Sequence, residues 1–222
     1  MLLRRLRQDD AAAIAAAVRA SMKHLEPWMP WATLAAADVA TQRSRIAQAD
    51  GMWEAGREFI YTVLPGDTAA DGGPRASLAG TVAGAPPEGT AVAGGPASPG
   101  GAPRTPASGG SLPGPDFLGA FGLHRRIGPD GIEMGYWIHA DRAGRGYGTA
   151  AARALTRVAL ALPGVARVEI HCDAANVASA AIPRRLGYRL SHTEKRTPQA
   201  PGETGQLMIW VLEGERPQAA RA

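Results

Sequence analysis

A single cysteine, Cys172, is all the thiol chemistry this 222-residue chain carries. An internal disulfide and a cysteine-based zinc site are thereby excluded, and with them the small secreted, disulfide-stapled classes. A reducing cytoplasm is the expected compartment. Aromatics are scarce too, with five Trp, four Tyr and three Phe. No apolar run approaches the roughly 18 residues of a membrane span. The Ala-rich stretch 11–18 imitates the apolar part of a secretion signal, but Asp9 and Asp10 precede it and Arg19 follows directly. A helix opened by acidic capping residues explains it better. Charge of either sign is modest, 24 Lys+Arg against 20 Asp+Glu for a net of +4. That balance suits a phosphate-bearing ligand and is too mild and scattered for nucleic acid.

Glycine and proline are what the chain has in excess, and they are unevenly spread. Residues 65–115 hold 13 of the 28 glycines and 10 of the 18 prolines, without one aromatic. Such a stretch buries too little apolar surface to offset chain ordering, so a disordered insertion is expected, with one weak strand at Ser77–Ala83. Closing a long loop costs little more than closing a moderate one. Residues 1–222 therefore read as a single domain, interrupted at 65–115 and ending in a flexible tail at 214–222.

Outside the insertion the pattern is mixed α/β. Strands are expected at Leu2–Arg7, Phe59–Leu64, Val165–Cys172, 188–194 and 206–213. Phe117–His124 and Ile132–His139 read as a hairpin across a turn-rich Ile127–Gly131 loop. Helices are expected at Ala11–Ser21, Arg43–Ala55, 148–162 and 176–186. The third carries an apolar stripe of Leu155, Val158, Ala159 and Leu162 with Arg153 and Arg157 outside; Gly187 is a natural left-handed cap for the fourth.

The most informative segment is Asp141-Arg142-Ala143-Gly144-Arg145-Gly146-Tyr147-Gly148-Thr149, between a strand and a helix. Alternate glycines let the backbone turn tightly and approach a ligand closely. The helix behind them presents unpaired amides and partial positive charge, and Arg142 and Arg145 add full charges. An anion site is the functional reading, and an ordinary Gly-rich turn is the plain one. A P-loop is excluded because no Lys sits here, and a dinucleotide fingerprint because the third glycine comes too early.

The order Arg142-Ala143-Gly144-Arg145-Gly146-Tyr147-Gly148-Thr149, then Asn176-x-x-Ser179 and Leu186-Gly187-Tyr188, resembles the GNAT acyltransferase superfamily. Upstream, His24-Leu25-Glu26-Pro27-Trp28-Met29-Pro30-Trp31 and Glu133-Met134-Gly135-Tyr136-Trp137-Ile138 look like its RimJ/RimL-type branch, which acetylates protein N-termini and small amines. The resemblance covers about residues 1–64 and 116–213. It implies an α/β fold of α+β character: a mixed, mostly antiparallel six- to seven-stranded twisted sheet flanked by helices, with a splayed central strand pair. It also implies acetyl-CoA as co-substrate, no metal, and direct acetyl transfer to an amine. Two positions depart from the family pattern: Ala143 where Gln or Arg usually opens the pyrophosphate loop, and Pro183 where many members place a Tyr that protonates the leaving thiolate.

On this resemblance the cofactor contacts are Ile138, His139, Arg142, Gly144, Arg145, Gly146, Tyr147, Gly148, Thr149, Asn176 and Ser179. Glu133 is the expected general base, directly or through a water; an ion pair with a nearby Arg is the competing reading. Glu194, Glu203 and His171 are the reserves. Ser179 is the expected thiolate donor, with capping as its plain alternative. Trp28, Trp31, Glu133 and His171 are expected to line the acceptor pocket. Cys172 reads as a buried apolar filler. The acceptor is a peptide N-terminus or a small-molecule amine, with no nucleic-acid or membrane partner, and the chain is a monomer or homodimer. Two other readings stay open: a CoA-binding interaction module without strong catalysis, and a transferase using another donor such as succinyl-CoA.

Overall fold

The computed structural model describes residues 1–66 and 117–214 in full and residues 81–83 as backbone. Most of the 65–115 insertion and residues 215–222 of the expected tail lie outside the described residues. In chain order the elements are β1 (Leu2–Arg5), α1 (Ala11–Leu25), α2 (Val39–Glu54), β2 (Glu58–Leu64), β3 (Thr81–Ala83), β4 (Gly119–His124), β5 (Gly131–Ile138), α3 (Tyr147–Leu160), β6 (Arg167–Asp173), α4 (Val177–Arg185), β7 (Arg189–Lys195) and β8 (Gln206–Glu213). Helix α2 begins four residues before the expected Arg43, because the Asp38 side chain accepts the Thr41 N–H at 2.8 Å and caps the helix there.

The strands form one sheet in the order β3-β1-β2-β4-β5-β6-β8-β7. Seven of them make the mixed sheet that was expected. The short Thr81–Ala83 strand from the insertion adds an eighth at the edge, parallel to β1. The other parallel pair is β5–β6, at the centre. Its pairing covers only Gly131–Glu133 against Arg167–Glu169, although β5 continues to Ile138 and β6 to Asp173. The central strands therefore part halfway along, and ladder hydrogen bonds between them stop there.

Strand alternation divides the core between two faces. On one, Tyr61, Phe121, Met134, Val168 and Ile170 pack against Ala151, Ala152, Leu155 and Ala159 of α3 and Ala180 of α4. On the other, Leu64, Ala120 and Trp137 meet Ile14 and Val18 of α1 and Ile46 of α2. Arg153 and Arg157 of α3 are exposed, as its periodicity requires. Among the described residues, no helix is long and apolar enough to cross a membrane.

Candidate active site

At the C-terminal end of β5 the chain makes a tight turn and enters α3. Gly144 (φ 74°) and Gly146 (φ 85°) both adopt left-handed backbone, which side chains disfavour, and a Cβ on Gly144 would meet nothing within 4 Å. The turn is thus glycine-dependent for its conformation and open on its outer side. Gly146 caps α3, and the first helical bond runs from Ala150 N–H to the Gly146 carbonyl. The N–H groups of Tyr147, Gly148 and Thr149 consequently have no partner within the helix and form a positive helix end. They face a cleft of about 1050 Å³ that runs between α3 and α4 to Trp28 and Met29. Arg142, Arg153, Arg157 and Arg185 stand along its wall. That surface fits a long, multiply anionic ligand.

Tyr136 and Ser179 line the cleft on the sheet side, with Pro183 buried behind them in α4. The Asn176 side chain accepts the Ser179 N–H at 3.0 Å and caps α4. Pro183 lies inside α4, and with no N–H it cannot bond the carbonyl four residues back, that of Ser179. Tyr136 reaches across from β5 and supplies the missing donor: its hydroxyl bonds the Ser179 carbonyl oxygen at 3.1 Å. The Ser179 hydroxyl in turn donates to the Tyr136 oxygen at 3.2 Å. Burial pushes the Tyr136 phenol well above its ordinary range, so it stays protonated and remains a donor. A tyrosine hydroxyl therefore stands beside Ser179 although position 183 is proline.

A second cavity, of about 750 Å³, occupies the opposite face of the sheet and reaches the first through the gap between β5 and β6. Met29, Tyr136, Trp137, Asn176 and Ser179 line both. Glu58, His124, Glu133 and Glu169 stand in register across β2, β4, β5 and β6, next to this opening. The ring of His124 lies back over Gly122, where a Cβ would come within 2.4 Å of Nε2, and its Nδ1 is 3.4 Å from Glu58. Glu133 is held by both its oxygens in a bidentate pair with Arg126, with Nε to Oε2 at 2.7 Å. Burial pushes the Glu133 carboxyl up, but the Arg126 guanidinium, together with His171 and His124, holds it below the usual carboxylate range. His171 sits on the parted half of β6. Its Nε2 is 2.7 Å from Glu169 Oε2, and its Nδ1 is 3.9 Å from Glu133 Oε2.

The structure distributes the sequence-derived candidates between these two cavities. Ile138, Arg142, Gly144, Gly146, Tyr147, Gly148, Thr149, Asn176 and Ser179 line the first. Arg145 and His139 are not on its wall; the His139 ring instead accepts the Asp141 N–H at 3.2 Å and shapes the turn. Trp28 lies in the first cavity, whereas Trp31, Glu133 and His171 lie in the second. The reserve Glu203 lines the second cavity but is tied to Arg196 at 2.6 Å, and Glu194 stands on the exposed edge strand β7. Cys172 is buried, and burial pushes its thiol up to about 11. Sequence reasoning overlooked the Tyr136 hydroxyl beside Ser179 and the α3 arginines as wall residues. The alternation Met134-Tyr136-Ile138 carried the signal for the first, since it put Tyr136 on the α3–α4 face.

Residues 108–189 match the family model described as an acetyltransferase (GNAT) domain. No curated protein matches the sequence. Among solved structures, the chain is similar to a ribosomal-protein-S5-alanine acetyltransferase from Vibrio fischeri, with 14% identity, 97% of this chain and 94% of that chain covered, and a TM-score of 0.68. It is similar to RimJ of Mycobacterium smegmatis in complex with CoA-disulfide, with 20% identity, 96% and 81% covered, and a TM-score of 0.66. It is also similar to RimL, a ribosomal L7/L12 alpha-N-protein acetyltransferase, in complex with coenzyme A, with 14% identity, 95% and 92% covered, and a TM-score of 0.66. At these identities the likeness is one of fold.

Proposed function

We propose, for a chain that carries a GNAT acetyltransferase domain, transfer of an acetyl group from acetyl-CoA to a primary amine by direct attack within a ternary complex. The single observation that carries this reading is the pair of cavities on opposite sheet faces, joined at Tyr136 and Ser179 where β5 and β6 part. One cavity ends in the anion-binding turn and suits the diphosphate arm of the thioester. The other admits the amine from the far face. No covalent enzyme intermediate is needed when both reactants meet at the gap. A CoA-binding module without catalysis is not favoured, because the matched family is one of acetyltransferases.

The amine nitrogen attacks the acetyl carbonyl carbon, the new C–N bond forms, and the C–S bond breaks. The departing thiolate is stabilised by a hydrogen bond from the Ser179 hydroxyl, held in place by its contact with Tyr136, and takes its proton from solvent as CoA leaves. The amine proton needs an acceptor on the other face. Glu133 serves poorly as a direct acceptor, since Arg126 engages both of its oxygens. His171 suits the task better: with Nε2–H donated to Glu169, its Nδ1 carries the lone pair and lies beside the Glu133 carboxylate, which stabilises the imidazolium formed. Glu133 thus acts through His171.

A thiol-release assay with acetyl-CoA and a panel of peptides and small amines tests the activity. Saturable CoA release that depends on an amine is expected, together with calorimetric binding of CoA. Folded protein that gives no heat with CoA would overturn the reading.

A further inference from the structure

Each charged group of the second cavity is ion-paired or hydrogen-bonded by several donors, with one exception. Glu58 stands with His124 at 3.4 Å, Glu133 with Arg126, and Glu203 with Arg196 at 2.6 Å. Asp173 accepts hydrogen bonds from Ala175 N–H, Thr204 N–H and hydroxyl, and Gly205 N–H. Arg45, on α2, has no carboxylate partner among the described residues. Its guanidinium lies 5.7 Å over the ring of Trp31. An indole face orients a guanidinium without neutralising it. Gln48, one turn further along the same helix, lines the same cavity, and Ala49 beside it keeps that wall low.

Position fixes what this cation can reach. Trp31 packs on Trp137 with ring centroids 5.9 Å apart, and Trp137 is two residues past Gly135, where the strands have already parted. Glu133 and Trp137 lie on the same face of β5, roughly 13 Å apart along the strand. The cavity is therefore polarised: an imidazole and carboxylates at the reacting end, an apolar stretch of two indoles tilted 59° to each other, then an uncompensated guanidinium. We propose that Arg45 and Gln48 form an anion subsite, so that the acceptor carries a carboxylate several bonds from its free amine, as a peptide does with Asp or Glu close to its N-terminus. The α-carboxylate of a free amino acid is too near its own amine to span this distance. A polyamine would place a second cation against Arg45. This inference rests on the amine-acceptor reading of the second cavity.

Binding decides it independently of turnover. CoA-loaded protein is titrated with short peptides of one N-terminal residue that differ only by Glu, Gln or Lys at the second or third position, and with a free amino acid and a linear polyamine. The Glu peptide is expected to bind at least about tenfold more tightly than the Gln peptide, the ordinary scale of a charge-assisted bidentate contact, and in the same order in kcat/KM. In Arg45→Gln, checked for folding by its melting curve, the Glu-to-Gln ratio falls to about one. Should that variant fail to fold, the wild-type ratio and its loss in high salt still give the answer. Equal binding of Glu and Gln peptides, an unchanged ratio in Arg45→Gln, or preferred binding of the free amino acid or the polyamine would each overturn the subsite. Peptide preference without any acetyl transfer would leave Arg45 standing and remove the enzymatic reading instead.

Discussion

At the scale of single residues, Tyr136 does two things with one hydroxyl. It donates to the Ser179 carbonyl that Pro183 leaves without a helical partner, and it accepts from the Ser179 hydroxyl. Tyr136→Phe therefore strands a buried carbonyl, and a stability loss of about 1–3 kcal/mol is expected. A fall in kcat on the order of ten- to a hundredfold should accompany it, with CoA affinity little changed; a variant that melts lower at full kcat would confine Tyr136 to a structural part. His171 makes a separate prediction. His171→Gln should lose most of the kcat while CoA affinity is little changed, because Nδ1 is the acceptor for the amine proton. A variant that keeps full kcat would return the proton to another base.

At the scale of elements, the turn into α3 is the decisive unit. The anion affinity proposed for it rests on main-chain N–H groups aligned by the helix, so Ala143 in place of a longer polar side chain removes little of it. Gly146→Asp should weaken CoA binding by about a hundredfold or more, since it puts a side chain at φ 85° and a negative charge against phosphate. Titration of the variant, with circular dichroism to show that α3 persists, checks this. The parted β5–β6 pair is the second such unit. Only three residue pairs hold these strands together, Gly131–Glu133 against Arg167–Glu169, and beside them Arg167 bonds Glu169 at 2.8 Å. Burial pushes the Glu169 carboxyl up, but Arg167 and His171 outweigh it and hold it low, as Arg126 does for Glu133. Carboxyls lowered on folding add stability that is present above their unfolded value of about 4.5 and is lost as pH falls through the lower folded value. Melting temperature should therefore drop below about pH 4.5, and Glu169→Gln should flatten that drop.

At the scale of the whole molecule, distant segments are tied to the site by buried polar anchors. Asp173, at the end of β6, gathers three backbone N–H groups and the Thr204 hydroxyl. Burial pushes its carboxyl up, yet these donors hold it below its ordinary value. Tyr188 and Thr156 share a hydrogen bond of 2.6 Å that locks the end of α4 onto α3. Asp173→Ala leaves several buried donors without an acceptor and should cost about 3 kcal/mol, read as a lower denaturation midpoint at unchanged slope. The same loop positions Glu203 at the cavity wall, so acceptor KM should rise before kcat falls.

The sequence alone determined the order of the elements, the glycine-dependent turn before α3, the left-handed cap at Gly187 and the sided alternation of β5. Each is a local matter: φ preferences, side-chain caps and hydrophobic period act over a few residues. It misplaced the start of α2, since a cap at Asp38 competes there with a weakly amphipathic helix. Tertiary structure alone decided what stands beside what. The pairing of Glu133 with Arg126, the closeness of His171 to Glu133, and the division of Trp28 and Trp31 between two cavities depend on strand register and helix placement. Tyr136 and Ser179 are 43 residues apart, and no spacing rule brings them together. A proline that frees one carbonyl is a local fact; the tyrosine that answers it comes from another strand, because only packing sets contacts between distant segments.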